Sequence, residues 1–414
     1  MITITAQILL FLAISLNLVV QGGTSAFFIL LTLLSLCLPI FHSSFRLDVR
    51  SAFRAYKWYF IGAAAFTVAV PLQQLVLQFW APRHLDPLSR FFLALAPFLF
   101  LRKLPAKSLR IIGWASSVGA TLIAAWAIYY TPPGVHWSDT NRFTTGFTNQ
   151  IPLGDTALLL GFLAILTIGW EYKKTPLLYL ARIFALSCGI YVLYITGTRG
   201  GWLAIPIFLS LTLWSFRIHT QRKLILSFLV GVIAMAAIAS STPMIQTRFA
   251  DAISNLEMMR IGDADTSIGL RLELWKASSI IFLEHPVLGV GRGRLQPALS
   301  KLAAEKRVIP QAVNQHSHSD FFSIAAEMGI IGITCLGLLY FGMTYYFWRE
   351  RQSDDPLIRT AAYSGLAVST STIIYGLTID VLVPVMQTTL IALLIAALLA
   401  MIDARHRELS QESV

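Results

Sequence analysis

Long apolar runs separated by short polar segments fill most of the chain. A helix needs about 20 apolar residues to cross a bilayer, so runs near that length predict membrane-spanning helices. The predicted spans are 3–20, 24–41, 57–79, 108–130, 151–170, 176–196, 201–216, 223–240, 321–348, 357–378 and 381–402. A shorter apolar run covers 91–101. With it, the pattern predicts an all-α bundle of about twelve spans.

The composition supports this fold class. Hydrophobic residues make up 56% of the 414 residues and charged residues only 13%, and the mean hydropathy is +0.67. Soluble domains carry about 25% charged residues. The chain is therefore an integral membrane protein, and a soluble enzyme or a soluble nucleic-acid-binding domain is excluded. The three cysteines all fall within predicted spans, so neither a disulfide framework nor a cysteine metal site is expected.

The distribution of Lys and Arg predicts the orientation, because cytoplasmic loops retain positive charge. With the N-terminus inside, basic clusters such as 46–57, 102–110 and 349–359 fall in inner loops. Without the short span at 91–101, the 102–110 cluster would lie outside. Both termini are then predicted to be cytoplasmic. The predicted parts are spans one to nine in 1–240, an outer loop domain with helices in 241–320, the last three spans in 321–402 and a cytoplasmic tail in 403–414.

Arginine is common on the predicted outer side, against the topological bias. Arg90, Arg142 and Arg199 lie at helix ends or in short loops. A guanidinium fork matches phosphate geometry better than a Lys ammonium does, so the pattern indicates an anionic ligand outside. A long loop is translocated whatever its charge, and this simpler explanation is sufficient for Lys301 and Arg307.

The first motif with candidate chemistry is YITGTRGGWLA at 194–204. Gly197, Gly200 and Gly201 allow a tight turn and close backbone approach. Such a turn can hold Arg199 at the membrane surface as a contact for an anion. The alternative is that Arg199 extends toward lipid headgroups while its stem stays in the apolar layer.

The second motif covers 267–293 and begins with a helical apolar period that Pro286 ends. Arg271 and Trp275 are four residues apart and share a face of this helix, so Arg271 can point into a cavity. The alternative is an amphipathic surface helix with a solvated Arg271. The GVGRG segment that contains Arg292 could hold a phosphate through its amides, although so short a glycine pattern is a weak signal without a preceding strand.

The third motif is HSHSD at 316–320, at the entry to a span. Ser317 or Ser319 is a candidate N-cap, which puts His318 beside a helix N-terminus, where the dipole disfavours imidazolium. A neutral imidazole is what a general base requires. Two alternatives are a structural histidine pair and a metal site, in which His285 or Asp320 would join His316 and His318. No H-E-x-x-H or cysteine cluster supports the metal site.

Together these motifs resemble the O-antigen ligase/polymerase superfamily, and most of all its lipopolysaccharide O-antigen ligases. The resemblance rests on GTRGGWLA, on Arg271 with Trp275, on EHPVLGVGRG at 284–293 and on the H-x-H entry into a span that contains E-x-G-I-I-G at 327–332. Their order and their common predicted side make the resemblance more specific than any one motif.

The resemblance implies a metal-independent, inverting glycosyltransferase of the GT-C type in the bacterial inner membrane, with no cofactor. Such enzymes transfer a glycan from undecaprenyl pyrophosphate to a hydroxyl of the lipid A core oligosaccharide on the periplasmic face. By motif, Arg199 and Arg271 would bind the pyrophosphate and His318 would activate the acceptor. The further candidates for substrate binding are Arg90, Arg142, Arg292, His316 and Asp320. The family often has Asn after the second histidine, where this chain has Ser319, so the support of His318 by Ser319 or Asp320 is open.

Three alternatives remain. An O-antigen polymerase would use the same donor with a second lipid-linked glycan as acceptor. A protein O-oligosaccharyltransferase would glycosylate protein hydroxyls, although such relatives usually carry a longer extension after the last span. A transporter for an anionic solute would also need outer arginines, but it is expected to bury charge or broken helices near the membrane midplane. The predicted spans are nearly free of charge.

Overall fold

A computed structural model describes residues 1–42, 45, 48–131, 141–220, 223, 225, 226, 229–231, 233, 246, 267–313 and 315–412. Throughout these residues the regular structure is helical, apart from an isolated bridge between Thr145 and Thr148. The helices are α1 (Ile2–Ser15), α2 (Gly23–Phe41), α3 (Val49–Val76), α4 (Asp86–Leu93), α5 (Leu95–Leu101), α6 (Ile111–Tyr130), α7 (Gln150–Leu166), α8 (Pro176–Ile195), α9 (Arg199–Ser215), α10 (Ser267–Glu284), α11 (Leu295–Ala304), α12 (Asp320–Glu350), α13 (Pro356–Gly376) and α14 (Val385–Glu412).

The predicted all-helical membrane class is confirmed. Among the described residues, 7 helices are long and apolar enough to cross a membrane, and α1 and the apolar part of α9 are shorter. The predicted count of about twelve is not tested, since the span at 223–240 and the domain boundary at 240 fall largely outside the described residues. The short span predicted at 91–101 is two helices, because α4 ends at Leu93 and α5 begins at Leu95.

Helix α14 forms the centre of the bundle. Every residue from Gln387 to Ala404 is buried, as expected for a helix that is apolar on all sides. It packs against α2, α4, α5 and α13, and the Arg102 Nε to Asp403 Oδ2 ion pair of 2.7 Å joins it to the end of α5. The helix continues to Glu412 through the residues predicted to form a tail.

A second, smaller core lies in the segment between α9 and α12. Leu274 and Ile281 of α10 pack with Leu295 and Leu299 of α11. Ala326 of α12 belongs to the same cluster. The helix predicted from the apolar period after Ser267 is confirmed and ends at Glu284, just before Pro286. Residues 267–313 therefore form a packed unit seated on the beginning of α12.

Helix α12 is broken at Gly329, where φ is 61° and ψ is −150°. A straight helix rises about 1.5 Å per residue and would put Asp320 and Tyr340 about 30 Å apart. Instead, the Tyr340 hydroxyl donates to Asp320 Oδ2 over 3.3 Å. Residues 320–328 therefore fold back on the rest of α12, which the sequence predicted as one continuous span. Such a break is tolerated at membrane depth only where other protein groups bind the freed backbone.

Residues 286–291 supply those partners. The Ile330 amide donates to Pro286 O over 2.9 Å, where an unbroken helix would bind it to Ala326 O. Ala326 O in turn accepts from the Val290 amide over 3.1 Å, and Glu327 O accepts from Gly291 N over 2.9 Å. The HPVLGVG segment (285–291) thus supplies backbone hydrogen-bond partners to the broken helix.

Gly289→Ala is expected to destabilise the protein by about 2–3 kcal/mol, from left-handed backbone and overpacking together. Gly289 has a φ of +64°, and a Cβ there would lie 2.3 Å from the Glu327 carbonyl carbon. Thermal unfolding in detergent measures the effect as a lower Tm. The matched control is Gly337→Ala, because no heavy atom of the described residues lies within 4 Å of a Cβ at that position of α12. Equal Tm values for the two variants would contradict a stabilising role of residues 285–291 at the break in α12.

Candidate active site

His318 lies just before α12 and is influenced by two groups of opposite charge, Arg271 and Asp380. It is half-buried, and its φ of 52° is in the left-handed region that few residues other than glycine adopt and that often marks functional sites. Burial lowers the pKa of His318 below its usual value, the neighbouring Arg271 and His316 lower it further, and Asp380 opposes them. The pKa direction agrees with the sequence-based prediction. The main cause is burial rather than the helix end.

Asp380 is the acidic group of this site, and the sequence analysis did not identify it. Its side chain is 7% exposed, and its Oδ1 accepts a hydrogen bond from Ser323 Oγ over 2.5 Å. Ser323 Oγ also bonds to Ser317 Oγ. Two serines thus connect Asp380 to the segment that carries His318. The available signal was an isolated carboxylate in the gap between two apolar runs.

Asp320 fastens the loop that carries Asp380. Its Oδ1 accepts from the Leu382 amide over 3.1 Å, and its Oδ2 accepts from the Tyr340 hydroxyl. Ser319 is the N-cap of α12, but its side chain makes no capping bond. The sequence left open whether Ser319 or Asp320 supports His318. These contacts connect Asp320 to His318 only indirectly, through the position of Asp380.

Arg271 influences His318 because α10 packs against the beginning of α12. Trp275, one turn after Arg271, donates from Nε1 to Ser317 O over 2.9 Å. Its ring stacks on Phe322 with centroids 5.0 Å apart. These contacts turn Trp275 toward the bundle, and Arg271, one turn earlier on the same face, is half-buried.

The turn before α9 is held by Arg142 and lies beside the Asp380 loop. Arg142 Nε donates to Thr196 O over 2.6 Å and its Nη2 to Gly197 O over 3.2 Å. A Cβ at Gly200 would lie 2.4 Å from Thr378 Oγ1, so glycine permits this approach two residues before Asp380. The backbone of Arg199 therefore begins α9 next to the site. The guanidinium of Arg199 lies outside the described part of the structure.

Arg292 and Arg90 are held by carboxylates of the chain itself. Arg292 is 5% exposed and its Nη1 lies 2.5 Å from Glu327 Oε2. Arg90 Nη2 lies 2.8 Å from Asp86 Oδ1. Each therefore has a structural role, and substrate binding by Arg90, Arg142 and Arg292 stays a prediction.

The proposed phosphate cradle at GVGRG is wrong, because protein acceptors already bind its amides. Val290 N and Gly291 N donate to the broken helix. Arg292 N donates to Gln73 Oε1 over 3.1 Å, and Gly293 N to Glu327 Oε1 over 2.9 Å. The glycines serve close packing instead of anion binding.

The metal alternative gains no support from the geometry. Within the described ranges, no three side chains among His, Cys, Asp and Glu come together as metal ligands. Asp320 is committed to Leu382 and Tyr340, and His316 is exposed.

An apolar groove of about 570 Å³ runs between α3 and α12. Its walls include Ala65, Ala69, Cys335 and Leu338. Its end toward the 285–293 segment is formed by Gln73, Leu288 and Met328. Gln73 also accepts a hydrogen bond from the Arg292 amide. The groove therefore extends along α3 and α12 as far as the 285–293 segment.

Comparisons with known proteins agree with the motifs. A family model described as O-Antigen ligase matches residues 183–337. An O-antigen ligase of Escherichia coli (strain K12) is 26% identical over 268 residues, which cover 63% of this chain and 61% of that protein. An uncharacterized protein of Haemophilus influenzae is 23% identical over 307 residues, covering 71% of this chain and 73% of its own length. The resemblance predicted from the motifs is confirmed. Residues 183–337, which match the O-antigen ligase family model, include Arg271 and His318.

Proposed function

We propose that this protein is an O-antigen ligase. It transfers a glycan from undecaprenyl pyrophosphate to a hydroxyl of the lipid A core oligosaccharide, with inversion, without a metal and on a GT-C-type scaffold. Its site faces the periplasm from the inner membrane, with both termini cytoplasmic. The observation that carries the proposal is His318, a half-buried histidine whose pKa burial and Arg271 lower and Asp380 raises.

The proposed reaction uses His318 as the base. The acceptor hydroxyl gives its proton to the neutral imidazole while its oxygen attacks the anomeric carbon of the first donor sugar. The bond from that carbon to the pyrophosphate oxygen breaks, and undecaprenyl pyrophosphate leaves with the electron pair. Negative charge grows on the leaving group, and preplaced cations stabilise such charge in the transition state. Arg271 is the described cation beside His318, and we assign the same role to Arg199.

Asp380 and Arg271 have opposite electrostatic effects on His318. Arg271 favours the neutral imidazole before the reaction, and Asp380 stabilises the imidazolium that forms when the proton arrives. A base needs both, because it must be unprotonated at the start and able to hold a proton at the end.

The lipid part of the donor has a suitable place in the apolar groove between α3 and α12. The walls are made of aliphatic side chains such as Val68 and Leu338, which suit an isoprenoid chain. The groove ends at Gln73 and Leu288, on the side of the bundle where α10 and α12 hold the charged groups. A lipid in this groove would enter sideways from the bilayer, without passing through the aqueous phase.

The transporter alternative gains one feature from the structure and loses another. Helix α12 is broken and Asp320 is buried within it, as a transporter would require. The break, however, is closed by backbone bonds from Pro286 to Gly291, and the family domain favours glycan transfer.

The lipopolysaccharide profile of a deletion strain tests the proposed function. With the ligase absent, we expect O-antigen to vanish from lipid A core while lipid-linked polymer accumulates. A single-repeat product on the core would instead indicate an O-antigen polymerase. Unchanged lipopolysaccharide together with loss of a glycan from secreted proteins would indicate the protein O-oligosaccharyltransferase.

The pH dependence of kcat/KM is expected to follow His318. Activity should fall as pH drops below about 6.5, with a midpoint under the ordinary histidine value because the pKa is lowered. Arg271→Gln removes a charge that lowers this pKa, so the acid limb should move to higher pH. Asp380→Asn removes the charge that raises it, so the limb should move to lower pH. A limb that stays fixed in both variants would assign the titration to another group.

A further inference from the structure

A separate cavity of about 330 Å³, lined by both apolar and polar side chains, lies where the end of α1, the 147–149 segment and the beginning of α14 meet. Its polar lining comes from Asn17, Thr148, Asn149, Thr156 and Gln387. Among the lining residues that the structure describes, none is Lys, Arg, Asp or Glu. The volume is near the lower end for small-molecule sites, about 300–1,000 Å³.

Gln387 gives this cavity an unmet hydrogen-bonding group. The side chain is 6% exposed, and its Oε1 has no hydrogen-bond partner among the described residues. Buried polar atoms are normally paired, because a lost bond to water must be replaced. Other lining groups are already engaged, since Asn17 Nδ2 donates to Thr24 Oγ1 over 2.7 Å and Asn149 Oδ1 accepts from Ile151 N over 3.1 Å. Because Oε1 is itself enclosed, a turn of the Gln387 amide toward the cavity would bring this unpaired acceptor to a ligand with a hydroxyl or an N–H.

Both walls of the cavity are fastened to the candidate active site. The segment before Gln387 carries Asp380 and is held by the bond from Leu382 N to Asp320 Oδ1. On the other wall, Thr198 Oγ1 donates to Gln150 O over 3.2 Å and so joins the start of α7 to the turn before Arg199. A ligand in the cavity would thus occupy a fixed position relative to the reacting groups.

We propose that this cavity binds a neutral sugar residue of a glycan substrate. A sugar offers hydroxyl donors to Gln387 and Thr148 and apolar faces to Phe147 and Pro384, which also line the cavity. The pyrophosphate does not fit the described part of this lining, in which no residue is Lys or Arg. The inference rests on the proposed function and deepens it, because the sugar comes either from the donor glycan or from the core acceptor.

The test uses the full-length protein with Gln387→Leu and, separately, Thr148→Val. Loss of one hydrogen bond to a sugar predicts a rise of about tenfold in the KM of a single substrate, with kcat within about twofold. A rise for the acceptor alone assigns the cavity to a core sugar, and a rise for the donor alone to the donor glycan. Thr389→Val is the matched control, since its hydroxyl donates to Val385 O of its own helix over 2.6 Å.

Binding of free oligosaccharides, measured by saturation-transfer NMR, gives an independent readout. Wild-type protein should bind the soluble core oligosaccharide or the soluble O-antigen repeat, and Gln387→Leu should weaken that binding about tenfold. Binding without any transfer by wild-type protein would overturn the proposed function and keep the cavity. Unchanged KM values and unchanged binding in both variants would overturn the cavity and keep the proposed function.

Discussion

His318→Ala is expected to lower the rate of glycan transfer by about 10²–10⁴-fold, the usual contribution of a positioned general base. Donor binding should stay close to that of the wild type, because arginines and not the imidazole are assigned to the pyrophosphate. The measurement is a single-turnover transfer rate with purified protein, alongside the dissociation constant of the lipid-linked donor.

His316→Ala is the matched control for this prediction. His316 is exposed and lies on the same segment, and it is a minor influence on the pKa of His318. We expect a decrease of no more than a few-fold. If the two variants lost activity equally, the histidines would act as a pair, as in the metal alternative. A fully active His318→Ala would remove the catalytic assignment.

Arg271→Gln is expected to lower the transfer rate by about 10²–10³-fold, comparable to the removal of one donor from a preorganised anion site. Arg271→Lys keeps the charge and loses the bidentate geometry of the guanidinium. We therefore expect a smaller loss, about 1.5–3 kcal/mol of transition-state stabilisation. The kcat and KM of each variant, measured at equal abundance in the membrane, separate these effects from a folding defect.

Lys276→Gln controls for charge removal on the same helix. Lys276 is exposed on α10 and its Nζ lies 3.4 Å from Glu273 Oε1. An exposed ion pair contributes little, so activity should be unchanged. Equal losses in Lys276→Gln and Arg271→Gln would mean that the total charge of α10, and not a contact of Arg271, supports transfer.

The sequence was sufficient for the features that local patterns encode. Apolar run length predicted the membrane helices, and the period after Ser267 predicted α10 with its end before Pro286. The shared face of Arg271 and Trp275 followed from helical spacing. The motifs also indicated the family, because several loose patterns in a fixed order are jointly specific.

The features that the sequence did not predict depend on contacts between distant segments. The break at Gly329 needs the backbone of 286–291 to accept and donate in place of the helix, and neither segment alone reveals it. Asp380 becomes part of the site only because α12 folds back and brings Ser323 to it. The glycine pattern at 289–293 suggested free amides for a phosphate. The sequence alone does not show that acceptors from α3 and α12 already bind the amides of 290–293.

The measurement that tests the central claim most directly is transfer by the purified protein from an undecaprenyl-pyrophosphate-linked O-antigen to lipid A core. We expect glycan joined to the core with inverted anomeric configuration, at a rate that EDTA does not change and that His318→Ala lowers by about 10²–10⁴-fold. A longer lipid-linked glycan with an unmodified core, or inactivation by EDTA that added zinc reverses, would contradict it.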